Sequence, residues 1–215
     1  MSSQRSKRLC VGTLLDPGDQ LPVLQRAVQL AMAHSLAGDF RPFGDAISSA
    51  LCRSLRGMDT ITPCLWFDDE AEAAAAFYTS VFEDSRIVDV SHYNDAGPRP
   101  AGTVMVVAFE LNGQRFTALN GGPQFTFSEA ISFQVPCDSQ DEVDHYWSAL
   151  TEGGEEGPCG WVKDRFGVSW QIFPTRMIEL FSHEDADVRN RAMAAMMKMR
   201  KIDLAQIEEA AGAPA

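Results

Sequence analysis

The side chains best suited to bind a molecule in this sequence are neutral and recur within short apolar runs. CGWVKDRFGVSWQIFP (159–174) carries the amide Gln171 two residues before Phe173, and AISFQVP carries Gln134. TITPCLWF carries Cys64 and Trp66. Successive side chains of a strand point to opposite faces, so these residues separate from their aliphatic neighbours onto one face. A face of amides, hydroxyls and aromatic rings predicts binding of an uncharged or aromatic small molecule.

Six residues are expected to line this binding face, with Phe116 as a further contributor: Cys64, Trp66, Asn120, Gln134, Gln171 and Phe173. Two interpretations of Gln171 stand: it orients a ligand carbonyl or hydroxyl, or it only satisfies a neighbouring backbone group. Trp66 is either a stacking wall or part of the core. Cys64 has no neighbouring His or Lys in sequence to activate it, which favours packing over nucleophilic catalysis. No catalytic residue is predicted.

The titratable residues show no spacing typical of a metal site or a catalytic triad. His92, His145 and His183 are scattered, which indicates solvated or capping roles. The charged turn 163–165 either flanks the cavity mouth or is only solvated. The five cysteines are odd in number and lack C-x-x-C spacing, which argues against a disulfide framework or a structural zinc and favours a reducing cytoplasm.

The elements that position these residues follow one order twice. A strand (TITPCLWF), a helix (DDEAEAAAAFYTSVF) and three strands (RIVDVSHY, TVMVVAFEL, QRFTALN) precede AISFQVP, the helix SQDEVDHYWSALTEGG and strands around Gly167. Asn112-Gly113 is a hairpin signal, and Ser139 with Glu142 forms a capping box. We therefore predict an α+β fold of two βαβββ modules, which form a cupped mixed β-sheet with flanking helices, plus C-terminal helices.

The sequence divides into three segments: 1–57, 58–176 and 177–215. The first carries seven basic and four acidic residues, although the chain as a whole has a net charge of -12. It contains one predicted helix, Pro22 to Leu36, and is interpreted as a flexible extension or as an over-long gene start before Met58. In the last segment, the helical spacing of Met193, Met196, Met197 and Met199 predicts a packing stripe.

Charge and hydropathy exclude several classes of partner. The acidic balance disfavours nucleic acid and anionic membrane surfaces, which are bound mainly through Lys and Arg. There is no apolar run of about 18 residues, so no membrane span is predicted. The predicted partner is instead a small molecule bound by the neutral face described above.

The repeated βαβββ order and three motifs resemble a known superfamily. ITPCLWFDDEAEAAAAFY, EVDHYWSAL and CGWVKDRFGVSWQIFP are similar to the PhnB-like branch of the vicinal oxygen chelate superfamily, often labelled demethylubiquinone methyltransferase-like. The resemblance runs from about Ile61 to Ile207. It implies a cup that often holds a metal, and a C-terminal helix that can lie across a partner subunit. A homodimer is therefore expected.

The resemblance also implies where metal ligands would stand. They fall at Thr62 or Pro63, near Ala118, at about Ala130, and at Gln171. None is a His, Asp, Glu or Cys, and one amide oxygen does not hold a divalent ion. The sequence thus predicts no metal and no cofactor.

Three function classes stay open at this point. The first is metal-independent binding of a small neutral or aromatic molecule. The second is an enzyme of lyase, isomerase or dioxygenase type, or a methyltransferase as the family label suggests; no Gly-rich strand–turn–helix typical of a nucleotide-like methyl donor is present, because no helix is predicted after Gly121 and Gly122. The third is a protein-contact subunit that uses the Met-rich tail and acidic surface.

Overall fold

The computed structural model of the protein describes residues 61–212. The helix predicted between Pro22 and Leu36 lies outside the described residues. The strands are β1 Cys64–Phe67, β2 Arg86–His92, β3 Val104–Leu111, β4 Gln114–Asn120, β5 Phe133–Cys137, β6 Glu155–Glu156, β7 Trp161–Lys163 and β8 Ser169–Pro174. The helices are α1 Ala71–Val81, α2 Gln140–Thr151, α3 Arg176–Phe181, α4 Ala186–Met196 and α5 Leu204–Ala211. No helix within 61–212 is long and apolar enough to cross a bilayer.

The strands form two four-stranded mixed sheets of the same topology. The first has the order β1-β4-β3-β2 and the second β5-β8-β7-β6. In each sheet one pair is parallel, β1 with β4 and β5 with β8, and the other pairs are antiparallel. Corresponding strands of the two modules hold corresponding places, so the predicted α+β fold and the internal duplication are confirmed.

Local signals in the sequence fix several of these boundaries. Asn112 and Gly113 both adopt positive φ (47° and 76°) in the tight turn between β3 and β4. At the start of α2, the Ser139 hydroxyl accepts a 3.2 Å hydrogen bond from the Glu142 amide. The Glu142 carboxylate in turn accepts from the amide of Asp138, one residue before the position that a capping box predicts.

Both modules share one core between the sheets and the helices α1 and α2. Leu65 and Phe67 of β1 are buried there, as strand alternation predicts. Phe82, which follows α1, stacks on Tyr146 of α2 with ring centroids 5.1 Å apart and lies 5.2 Å from Trp170 of β8. The core therefore joins the two modules into one unit.

A buried carboxylate connects the second module to the first. Asp164, in the β7–β8 turn, is 3% exposed and accepts 2.8 Å hydrogen bonds from the Tyr78 hydroxyl and the Trp170 indole. It also accepts from the amides of Phe166 and Val168. Burial raises the pKa of Asp164, and these hydrogen bonds act in the opposite direction. The expectation of a merely solvated charged turn is wrong for this residue.

The three C-terminal helices form a second hydrophobic cluster. Its fully buried members include Ile202, Ile207 and Ala211, and Met196 and Met199 pack against it. These two methionines confirm part of the predicted stripe. Met193 and Met197 are instead exposed, at 43% and 63%.

Candidate functional site

Strand pairing defines the side of each sheet that is opposite α1 and α2, here called the open face. In the first sheet, Cys64 pairs with Thr117 and Trp66 with Leu119, on the side opposite the core residues of β1. In the second sheet, Gln171 pairs with Gln134 on one neighbouring strand and with Trp161 on the other. Two amides and an indole thus form one row across the open face of the second sheet.

Trp66 stands at the end of β1 and is fixed by three contacts. Its indole N–H donates a 2.8 Å hydrogen bond to the Gly122 carbonyl, and Phe125 contacts its ring edge-on at 5.0 Å. A Cβ on Gly121 would lie 2.2 Å from the indole, so only glycine allows the ring this position. Trp66 is partly buried on the open face, with Phe125 (53% exposed) as its outer neighbour.

Gln171 is held by the segment that connects the two modules. Its amide nitrogen donates a 2.8 Å hydrogen bond to the hydroxyl of Ser132. The connecting segment 121–132 also reaches the second sheet through an ion pair between Glu129 and Lys163. This ion pair raises the pKa of Lys163 and lowers that of Glu129, chiefly through the hydrogen bond between them. The local charge beside the amide row is therefore balanced.

Ser169 lies on the same face as Gln171, two residues earlier on β8, and pairs across the sheet with Lys163. It is 2% exposed, and its hydroxyl has no hydrogen-bond partner among the described residues. A buried polar group without a partner is uncommon in folded proteins. Strand alternation places Ser169 on this face, but its burial and its unpaired hydroxyl could not be read from the sequence.

Two predicted site residues lie elsewhere. Asn120 pairs with Phe67 on the helix-facing side, where its oxygen accepts 2.8 Å from the Ala71 amide and its nitrogen donates to the Val104 carbonyl. It is 4% exposed, so its amide serves the start of α1. Phe116 is likewise in the core, stacked 5.4 Å from Phe109. The prediction that these two line the binding face is wrong.

The remaining predicted residues are on the open face but differ in surroundings. Cys64 and Gln134 are exposed, so the buried packing expected of Cys64 is wrong. Phe173 packs against the C-terminal cluster. Ile131 precedes β5 and is 74% exposed.

The open face of the first sheet also carries a compensated charge. Glu110 on β3 is 8% exposed and forms ion pairs with Arg86 on β2 and Arg115 on β4, the latter at 3.0 Å.

His145 of α2 hydrogen-bonds the Val81 carbonyl at 3.1 Å, which agrees with the capping role expected of it. Among the described residues neither Glu110 nor His145 belongs to a group of three or more His, Cys, Asp or Glu that could hold a metal ion.

The residues at the implied metal-ligand positions do not fit a metal. Ala118 is fully buried on the helix-facing side, and Ala130 is exposed before β5 begins. Gln171 already donates its amide to Ser132. Within residues 61–212 no group of three or more His, Cys, Asp or Glu is arranged to hold an ion. This donor set does not support a divalent metal at the shared position.

Comparisons with known proteins identify a family for this chain. The family model described as 3-demethylubiquinone-9 3-methyltransferase matches residues 59–173. The PhnB protein from Bacillus cereus is 36% identical, with 54% of this chain and 100% of that chain covered and a TM-score of 0.50. A protein from Staphylococcus aureus is 33% identical over 54% of this chain and 97% of that chain, with a TM-score of 0.25.

A more distant similarity is to the fosfomycin resistance protein FosX from Mesorhizobium loti, at 14% identity over 59% of this chain and 98% of that chain, with a TM-score of 0.44. No curated protein matches the chain. The predicted PhnB-like branch is confirmed by the family model and the Bacillus cereus protein. The chain belongs to the 3-demethylubiquinone-9 3-methyltransferase family of PhnB-like proteins.

Proposed function

We propose that the protein binds a small neutral or aromatic molecule on the open faces of its sheets, without a metal. The observation that carries this proposal is the buried hydroxyl of Ser169, which lacks a partner within residues 61–212. An unpaired buried polar group costs about 1–3 kcal/mol. A ligand that supplies the missing hydrogen bond recovers part of that cost.

The surroundings of Ser169 define the chemistry of the ligand. The Gln171 amide nitrogen donates a hydrogen bond to Ser132, which leaves the amide oxygen as an acceptor for a ligand. Trp161 is paired beside Gln171 and provides an aromatic surface. The nearby Lys163 is paired with Glu129, so neither charge is left to bind an ionised ligand. A phenol or an aromatic amide, which can both donate a hydrogen bond to the Gln171 oxygen and accept one from the Ser169 hydroxyl, matches this set of groups.

A thermal-shift screen tests the binding directly. The probes are phenol, benzamide and 1-naphthol, with benzoate as the charged comparison. We expect the neutral probes to raise the melting temperature more than benzoate, and titration calorimetry to give the affinity of the best one. Gln171→Leu and Ser169→Ala should each weaken it by about tenfold, equivalent to about 1.4 kcal/mol.

The matched control is Gln114→Leu, since Gln114 is an exposed amide at the β3–β4 turn. It should bind the same probe as the unchanged protein does. If no neutral probe stabilises the protein, or if the three variants bind alike, the proposal is wrong. Elemental analysis after incubation with zinc, manganese, nickel and iron should give far less than one ion per chain. One tightly bound ion would favour the alternative, an enzyme of the superfamily.

Methyl transfer, the activity in the family's description, has less support in this chain. The glycines after β4 are followed by no helix before α2. Gly121 is instead required by the indole of Trp66, which occupies the space beside it. A nucleotide-like methyl donor is usually bound where a Gly-rich turn opens a helix. This chain's glycine pair therefore does not fit that cofactor.

We further propose a homodimer in a reducing cytoplasm. Cys64, Cys137 and Cys159 are all free thiols, as expected in a reducing compartment. The edge strand β2 exposes Ile87 and Val88, at 41% and 43%. This favours a dimer in which the second chain covers the edge of the sheet. Light scattering should give twice the chain mass of 23.6 kDa. A value equal to the chain mass would exclude the dimer.

A further inference from the structure

Two sulfur atoms meet at the surface where the turn before β7 contacts the end of α4. The Cys159 sulfur lies 3.8 Å from the thioether sulfur of Met197, in an exposed contact. Met193 precedes Met197 by one helical turn, and the Met197 amide donates a 3.0 Å hydrogen bond to the Met193 carbonyl. Residues four apart lie on the same side of a helix, so Met193 lies on the side of α4 that carries Met197.

The position of Cys159 is fixed by the backbone on both sides of it. Its φ of 57° is rare for a residue other than glycine. Its amide donates 2.9 Å to the Met199 carbonyl, and the next amide, of Gly160, donates 2.7 Å to the Arg200 carbonyl. A Cβ at Gly160 would lie 2.4 Å from the Ile172 carbonyl oxygen, so the turn approaches β8 at a distance that only glycine allows. The structure therefore holds the thiol against α4 in a set geometry.

Contacts within residues 61–212 do not explain the methionines of this surface. Met193 and Met197 are 43% and 63% exposed, whereas Met196 and Met199 of the same segment contact the C-terminal core. Large apolar side chains of that exposure gain little from burial. Their shared property is a soft, polarisable sulfur.

A thiolate with thioethers is the ligand set that selects monovalent copper over zinc or the hard cations. With metal–sulfur bonds of about 2.3 Å, as for thiolates on zinc, two sulfurs of a three-coordinate ion lie about 4 Å apart. The observed separation of 3.8 Å is close to this value. Within residues 61–212 no cluster of His, Cys, Asp or Glu is suited to a harder ion.

We propose that Cys159, Met197 and Met193 form a surface site for Cu(I). The Cys159 thiol loses its proton on binding, and the thiolate and two thioethers supply the three ligands. No change in the oxidation state of the metal or of sulfur is required. The site is separate from the open faces of the sheets and does not depend on the ligand proposed for them.

The test is a competition between the full chain and the chelator bicinchoninate for Cu(I), kept reduced with ascorbate. All variants are made in a background protein that carries Cys10→Ser and Cys52→Ser, because these two cysteines lie outside the described residues. One Cu(I) per chain is expected. Met197→Leu should weaken binding at least tenfold, Met193→Leu several-fold, and Cys159→Ser most of all. The methyl NMR signals of both methionines should shift on addition of Cu(I) or Ag(I).

Cys64→Ser is the matched control, because Cys64 is exposed and has no sulfur contact within residues 61–212. It should bind Cu(I) as the background protein does. Equal affinity of Met197→Leu and the background would show binding by a thiol alone and would overturn the site. Loss of binding in Cys64→Ser would do the same. Because the substituted methionines are exposed, thermal melts of their variants should match the background and exclude misfolding.

Discussion

The hydroxyl of Tyr78 on α1 donates a 2.8 Å hydrogen bond to the carboxylate of Asp164, 86 positions later in the chain. Both groups are buried, and the indole of Trp170 donates to the same carboxylate oxygen. Burial, followed by the Asp164 charge, raises the pKa of Tyr78 well above 10, so the phenol is the donor at physiological pH. The contact joins the F-Y and K-D-x-F-G-x-x-W segments of the sequence.

Removing this donor should destabilise the protein. Tyr78→Phe leaves Asp164 with one fewer partner and should lower the free energy of unfolding by about 1–3 kcal/mol. Asp164→Ala should cost more, because it leaves four donors, three of them buried, without an acceptor. Urea denaturation of both single variants and of the double variant gives the coupling energy. A coupling near zero would contradict the proposed contact.

Gly121→Ala should displace the Trp66 indole, because the added Cβ would lie 2.2 Å from the ring. We expect a loss of about 1–3 kcal/mol in the free energy of unfolding, typical of overpacking. Trp66→Ala combined with Gly121→Ala should cost less than the sum of the two single changes. Strict additivity in denaturation experiments would show that the indole does not occupy this space.

The ion pair between Lys201 and Asp144 predicts a pH dependence. The hydrogen bond from Lys201, with a second from Gln140, lowers the pKa of Asp144 below 3.8. A lowered folded-state pKa contributes stability that is present above 3.8 and is lost as the pH falls through the lowered value. Lys201→Gln should therefore lower stability at pH 7 by at most about 0.5 kcal/mol, since the pair is largely exposed.

Thermal melts of Lys201→Gln and the unchanged protein should converge at strongly acidic pH. Lys198→Gln is the control: Lys198 is exposed and has no ion pair among the residues described, so its melting temperature should follow that of the unchanged protein at every pH. A difference for Lys201→Gln that persists below the lowered pKa of Asp144 would contradict the assignment.

Ile202 should be essential for docking the C-terminal helices. It is fully buried in their cluster, and Ile202→Ala should lower the free energy of unfolding by about 2–4 kcal/mol. The matched control is Ile178→Ala, because Ile178 is 53% exposed and its truncation should cost less than about 0.5 kcal/mol. Equal effects of the two changes in denaturation experiments would show that the cluster does not carry this stability.

The sequence predicted the order of the helices and strands better than it predicted which side chains are in contact. Strand alternation identified the inner faces of β1 and β8, because large apolar residues (Leu65 and Phe67, Trp170 and Ile172) occupy every second position there. It failed for Asn120, since β4 carries apolar residues on both sides (Phe116 and Leu119) and no contrast marks the core. The contact of Gln171 with Ser132 depends on the path of the connecting segment, which no periodicity encodes.

The sequence also did not show which of several adjacent charged residues is buried. Lys163, Asp164 and Arg165 are consecutive and look alike in sequence, yet Asp164 is buried while its neighbours form ion pairs at the surface. Its partners lie on another helix and on the following strand. Only the folded arrangement of both modules distinguishes it from an ordinary turn carboxylate.

The Tyr78–Asp164 contact limits how the two repeats can diverge after duplication. Tyr78 lies in the first repeat and Asp164 in the second. A second repeat taken from a different relative therefore provides the buried acceptor only if its β7–β8 turn carries an equivalent carboxylate. Chimaeras that exchange whole repeats should therefore fold when donor and acceptor are inherited together. Two separately expressed halves, divided within 121–132, should each be insoluble alone and should regain the fold only when mixed.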